Sequence, residues 1–535
     1  MLNEFSMVGQ DQLAVDSVES SFRAAVAKQE DVFTLTALAH LLADLGRNDE
    51  AESFFEKALN CPHHATKHGS PSSDGETRGL AMGWYAALVE GNGSEGAAKA
   101  EGLYKRALRI NDRDALAMGN YAVFLHKIKR DHRAAATAYK KAVEAHPTHS
   151  SILCKYGGFV KHLENDYEKA KTLFEAAIAA NPSHAESLGN LAVLLHGQPC
   201  TSAPLLDKIE GLYKRAVHAD PVNANNFSNF GLFLAEKRGD VVGAEALYKK
   251  ARAIDPFHAN SIYNYAVLLD SSLKQQERAE AMYRQCLAVN SEHSYALYNL
   301  AVLKEETTKN CDYSEAKQLF ERAVRSSPSD ALTRADYGRF LATVENNLEG
   351  ALENLREAIR CDPDCTTAQF NLGKLLLQRR RTEPASEGSV GVRGQAARGD
   401  VREAKVLLRK VIRDNEEHSG ARLCLAHTLA EEGDFEEAAK LCRAVLKGTA
   451  CTDVAAVSNL AALLGRNGMS DTVIATADNM LQHATSLSPT NESLLQQQLL
   501  FLEEVKQDKR RSETVAAALK KCLLLAGYRN SRDSS

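Results

Sequence analysis

The stretch AEALYKKARAIDPFHANSIYNYA, from Ala244 to Ala266, constrains this chain more than any other feature, because variants of it recur along almost the whole sequence. Ala244, Tyr248 and Ala251 share one face at helical spacing, and Asp255-Pro256 ends that helix. Asn264-Tyr265-Ala266 then opens the core face of a second helix. Aligned on their small residues, the copies place Ala86, Ala122, Gly157, Ala192, Gly231, Ala266, Ala301, Gly338 and Gly373 in the first helix of each unit, helix A. The matching residues of helix B are Tyr104, Tyr139, Phe174, Tyr213, Tyr248, Tyr283, Phe320 and Leu355. Two antiparallel helices approach closely only where one offers small side chains and the other a large one. Prolines 147, 182, 221, 256, 328 and 363 close the units, since proline lacks the amide a helix needs and disfavours helix in the residue before it.

A chain of 535 residues exceeds one ordinary core, and a stacked array of such pairs accounts for that length. The pattern of a small residue, then Ala, aromatic, Ala and Pro at fixed intervals resembles the tetratricopeptide repeat family. That resemblance implies an all-α fold, an α-solenoid of about twelve helical hairpins forming a right-handed superhelix. Within it, residues 1–30 are expected to hold an N-terminal capping helix, in which Val18, Phe22 and Ala25 imitate helix B without its partner. Residues 31–60 are the first full repeat, 61–79 a flexible loop, 80–378 the central array and 379–398 a flexible insertion. Further repeats occupy 399–486, capping helices 487–528 and a tail 529–535. In central copies such as Gly157 to Ala170 the two small residues stand 13 apart, against 12 from Ala39 to Ala51, and the extra residue is placed in the inter-helix turn.

Charge and motifs narrow the function classes. With 65 basic and 70 acidic residues, the net charge of -5 creates no overall field for nucleic acid or an anionic membrane. The N-terminus lacks a basic start with an apolar run, and no apolar stretch is long enough to span a bilayer, so a cytoplasmic protein is expected. The cysteines number eleven, and Cys154, Cys286, Cys424, Cys442 and Cys522 fall at apolar helical positions and read as reduced and mostly buried. Gly91, Gly93 and Gly96 match G-x-G-x-x-G but follow a helix, where a dinucleotide site needs a strand, so a plain turn is expected. Cys61, His63, His64 and His68 fit no structural zinc spacing, and no phosphate-loop, G-x-S-x-G or H-E-x-x-H motif occurs. Neither catalysis nor a metal or cofactor is expected.

Function then falls to the face of helix A that does not meet helix B. With the small residue numbered position 8, positions 2, 5, 6, 9, 12 and 13 share that face. Position 6 holds Asn120, Asn190, Asn229, Asn264, Asn299, Asn371 and Asn459, with Trp84, Lys155, Asp336 and Cys424 as exceptions. A carboxamide offers both donor and acceptor to an extended backbone, so one per repeat makes a ladder that grips a chain whatever its side chains. The arrangement resembles the asparagine ladder in the repeat region of O-linked N-acetylglucosamine transferases, though no glycosyltransferase domain follows here. The same asparagines could instead bond to a neighbouring helix, and the repeat pattern itself does not discriminate. Val123, Val193, Leu232, Val267 and Val302 at position 9, with Tyr263, Tyr298 and Phe370 at position 5, are expected either to form an apolar groove or to join successive A helices. Arg339 and Lys374 at position 9 are expected to turn that groove basic. The leading expectation is a scaffold that binds a protein partner as an extended peptide or a helix, with RNA binding or a substrate-selecting subunit of a separate enzyme as alternatives.

Overall fold

The structure, a computed structural model, describes residues 17–28, 30–61, 71–199, 202–308, 312–382, 392–447, 454–465 and 469–532. All regular structure in these residues is helical, and the helices run in consecutive antiparallel pairs. They form two compact units, Met1–Met282 and Tyr283–Ser535, with the division inside the helix Gln276–Val289.

Each pair is built as the spacing implies. In the first unit the helix B aromatics Tyr104, Tyr139, Phe174, Tyr213 and Tyr248 are all at most 1% exposed, as are Ala86, Ala122, Ala192 and Ala266 opposite them. Where position 8 is glycine the helices sit too close for a methyl group: a Cβ on Gly157 would stand 2.7 Å from the Phe174 ring. The same rings join one pair to the next. Tyr139 stacks on Tyr156 at 5.4 Å and Tyr213 on Phe230 at 5.6 Å, each partner lying at position 7 of the following helix A. In the second unit Phe320 meets Tyr337 in the same way at 5.8 Å. Each such contact adds about 0.5–1.5 kcal/mol to the area it buries.

Seven joints, drawn from both units, share one construction. Helix B ends on Asn111, Asn181, Asp220, Asp255, Asn290, Asp362 or Asn415, whose side-chain oxygen accepts the amide two residues on. Such a side chain replaces the backbone bonds that the helix end leaves unmade. Helix A is then capped by Asp114, His184, Asn223, His258, His293, Asp330, His418 or Asn491.

The turn within a pair absorbs the extra residue in a definite manner. In the shorter copies, Gly46 and Gly433 take positive φ, and the amides of Arg47 and Asp434 bond back five residues to Leu42 and Leu429. This is the usual glycine-terminated helix end. In longer copies the loop widens by one: the amides of Asp131, Asp240, Gln275 and Asn347 reach six residues back, to Leu125, Leu234, Leu269 and Leu341. The residue at positive φ is then Arg130, Gly239, Lys274 or Asn346. The end of helix A relaxes into a π-turn at Val160–Glu164, Leu234–Arg238 and Phe501–Lys506. The insertion thus belongs to the last turn of helix A.

Several boundaries differ from those expected. A helix begins at Pro71 and runs to Val89, inside the loop expected over 61–79, because its partner Gly93–Ile110 is long enough to support it and Ile110 lies 3.8 Å from where a Cβ on Gly79 would stand. His63, His64 and His68 lie outside the described residues. The insertion expected over 379–398 also narrows: helix Thr366–Thr382 continues into it and helix Val392–Asp414 emerges from it, while Arg379 Nε donates to Asp400 Oδ2 at 3.0 Å across the gap. The closing segment is itself a pair, Glu492–Lys506 against Lys509–Arg532. At the other end, helix 17–28 is fastened to the first hairpin by Glu19 with Arg47 at 2.8 Å and Arg23 with Glu50 at 3.2 Å. Cys154, Cys286 and Cys442 are buried, whereas Cys424 and Cys522 are half-buried.

Candidate binding groove

In the first unit, successive A helices touch one another while successive B helices stand farther apart, so the stack closes toward its A side. The face that carries positions 2, 5, 6, 9, 12 and 13 therefore lines an inner wall. Asn120, Asn190, Asn229 and Asn264 all lie on it, half-buried, with Val123, Val193, Leu232, Val267 and Tyr263 also half-buried beside them. The partial burial of these apolar side chains leaves some of the surface of each exposed.

The asparagines differ in what they have left to offer. Asn190 donates through Nδ2 to Cys154 Sγ at 3.5 Å, and Asn264 through Nδ2 to Ser228 Oγ at 3.1 Å. Both partners sit at position 5 of the preceding helix A. Each of these carboxamides is thereby oriented, with Oδ1 left unbonded among the described residues. Asn120 Oδ1 accepts from Lys155 Nζ at 3.1 Å, across to the following helix. The residue equivalent to Cys154 and Ser228 in the helix before Asn229 is Gly189, which has no side chain to offer, and Asn229 makes no hydrogen bond among the described residues.

The second unit arranges the same positions differently. Asn299, Asn371, Val302, Tyr298 and Phe370 are half-buried and Asn459 is exposed. Tyr298 donates its hydroxyl to Asp336 Oδ2 at 2.6 Å, and burial pushes that hydroxyl's pKa well up. Arg339 forms a two-pronged bond to Glu305, 2.7 Å on each arm. The expectation that Arg339 turns the groove basic is therefore corrected, because Glu305 at position 12 of the previous helix A neutralises it. Phe370 is taken up by the His418 ring, 4.7 Å away.

Unspent positive charge lies elsewhere, on residues that position 6 alone marked as exceptions or passed over. Lys155 reaches only Asn120, and Lys127 and Lys161 form no ion pair among the described residues. Lys161 is half-buried, and that burial pushes its ammonium pKa down. Gly158 between them has open space where the neighbouring repeats carry Val123 and Val193. His126 has Nδ1 buried without a partner among the described residues, and its pKa is lowered by burial first and then by Lys127. Two other recesses, of about 790 and 560 Å³, lie at the Gly91–Gly93 turn and between Met118 and Lys141. In the first, Glu101 is already bound to Lys105 and Lys129. No group of His, Cys, Asp and Glu suited to a metal occurs among the described residues, and no helix there is long and apolar enough to cross a membrane.

Paired helices stacked through shared rings, with a carboxamide at the same position of several pairs, define a helical-repeat protein. Family models described as tetratricopeptide repeat match residues 34–60, 93–150, 164–199, 259–293, 344–385 and 395–464. The chain belongs to the tetratricopeptide repeat family, whose repeats generally mediate protein–protein interaction. Among solved structures it is similar to one from a functional characterization of Pseudomonas aeruginosa pilF, at 19% identity and a TM-score of 0.35, covering 42% of this chain and 96% of that one. No curated protein matches the chain.

Proposed function

We propose that this protein is an interaction scaffold that takes an extended segment of a partner protein along the A-helix wall between Ala115 and Ser271. The observation that carries this reading is the state of the ladder. Asn190 and Asn264 are held by one arm with Oδ1 unspent, and Asn229 is unspent at both ends. Buried or half-buried amide groups without partners favour a ligand that supplies them, and an extended backbone supplies an N–H and a C=O at regular intervals. A partner helix is the weaker candidate, because its own backbone groups are already paired and could not answer the carboxamides.

The test replaces Asn190, Asn229 and Asn264 together by Ala and measures peptides selected from a random-sequence display library on the wild-type chain. Circular dichroism is expected to stay unchanged while the selected peptides lose binding. Peptides that bind both proteins equally would refute the proposal.

A further inference from the structure

We infer that the inner wall formed by residues 115–164 is a receptor for acidic protein segments, with Lys127, Lys155 and Lys161 taking the carboxylates of closely spaced Asp or Glu side chains. The inference rests on the proposed groove and adds the chemistry of what enters it. Elsewhere in this unit lysines are commonly matched by their own neighbours: Lys99 by Glu52 and Glu56, Lys105 and Lys129 by Glu101, Lys169 by Glu164, Lys214 by Glu210 and Lys249 by Glu245. The three inner-wall lysines have no such carboxylate among the described residues. Glu90, also on this wall, feels Lys127 and Lys155, yet burial still raises its pKa and it is bonded by the Tyr104 hydroxyl at 3.1 Å. It cannot neutralise three cations.

Geometry makes this an opening and not only a charge. Lys155 and Gly158 are neighbours at three-residue spacing, Lys161 follows Gly158 at the same interval where the helix opens into Val160–Glu164, and Gly158 has open space beside it. Lys161 stands half-buried with no anion to hold its charge, an arrangement that an incoming carboxylate relieves. Successive helices in such stacks lie roughly 8–10 Å apart, and a polyproline-type chain repeats its side-chain direction every three residues, about 9 Å along its axis. An acidic residue at every third position of an extended segment would therefore meet one A helix after another, while Asn190 and Asn229 continue the same wall to hold its backbone.

The experiment uses the full chain and a fluorescein-labelled peptide of Glu-Ala-Pro repeats, with Gln-Ala-Pro as control, read by fluorescence polarisation. The glutamate peptide is expected to bind, to weaken as salt rises, and to exceed the glutamine peptide roughly tenfold, the effect of a few partly screened ion pairs. K127Q/K155Q/K161Q is expected to abolish that preference with unchanged circular dichroism. Equal binding of the two peptides, no binding of either, or a lysine variant that retains the preference overturns the inference. The asparagine variant separates the two readings. If it loses both peptides while wild type binds both alike, the groove stands and acidic selectivity falls; if it binds the glutamate peptide as wild type does and only the lysine variant fails, selectivity stands and the ladder falls. A mixed-sequence single-stranded RNA that outcompetes the glutamate peptide with the same lysine dependence also overturns the inference, in favour of a nucleic-acid ligand.

Discussion

Asp478 fastens the closing hairpin, and its replacement by Asn tests how that hairpin is held. The carboxylate is only 3% exposed on helix Asp471–Leu487. It accepts both arms of Arg511 at 2.8 and 2.9 Å and Lys506 Nζ at 2.9 Å. Burial by itself would raise its pKa, but the Arg511 fork and then Lys506 outweigh that and hold it at about 2, against an ordinary 3.8. At 1.36 kcal/mol per unit this difference is worth about 2 kcal/mol. The two cations are about one-third exposed and can rehydrate, so the cost of Asp478→Asn falls near that figure and below the about 3–5 kcal/mol of a fully buried broken pair. Leu494, Leu495, Phe501 and Leu502 remain buried in the variant's fold, so the hairpin stays docked but opens about 30-fold more often. Hydrogen exchange read by mass spectrometry over Glu492–Lys506 is expected to show that acceleration, with residues 115–271 unchanged. The folded pKa lies below the unfolded one, so the stabilisation is complete above about pH 4 and is lost as pH falls through about 2. Exchange in the Asn variant should lack this acid step. Equal exchange in the two proteins, or a loss spread over the whole chain, would refute the reasoning.

Tyr213 is fully buried with a hydroxyl that has no partner among the described residues, so Tyr213→Phe is expected to stabilise its repeat by about 1 kcal/mol, seen as a higher urea midpoint. Tyr104→Phe removes the donor to the half-buried Glu90 and is expected to cost about as much, so identical changes at equivalent positions should differ in sign. His184 and His293 cap their helices through Nδ1, which accepts the amides of Ser187 and Ala296, and burial is the first cause lowering both pKa values. The neutral form is thus favoured by folding; its contribution is present above about pH 6.5 and is lost as pH falls below it, and H184N/H293N should flatten that loss in unfolding measured between neutral and mildly acid pH.

The paired architecture was readable from sequence because its determinants are local and repeated: a small residue, a ring four residues after another small one, a proline joint. The six-residue turn closing the longer copies was not, since Arg130, Lys274 and Asn346 bear the positive φ there and share no side-chain signature. Nor were the helices from Pro71 and Val392, whose glycine- and polar-rich sequences read as loop until the partner helix is in place. On the groove, the Asn positions were legible but their availability was not. Whether an Asn is spent depends on a residue 36 places upstream, as with Cys154 for Asn190 and Ser228 for Asn264. Arg339 looked free for the same reason, its counterion being 34 residues earlier. Lys155, in turn, broke the asparagine pattern and was read only as an exception to it.

The core decides where the ladder stays open. A Cβ on residue 189 would stand 2.3 Å from Asn226 Oδ1, and Asn226 is 5% exposed at the seam between two A helices. A larger residue at 189 would have to displace the Asn226 side chain, and glycine at this position offers Asn229 no side-chain partner. In neighbouring repeats, where Cys154 or Ser228 occupies that position, the asparagine opposite is tied by one arm. Asn229 is also followed directly by Phe230, the ring stacked on Tyr213 that joins two hairpins. Packing at Asn226 and the absence of a side chain at Gly189 thus go together with the unbonded carboxamide of Asn229, one residue before the ring that joins two hairpins.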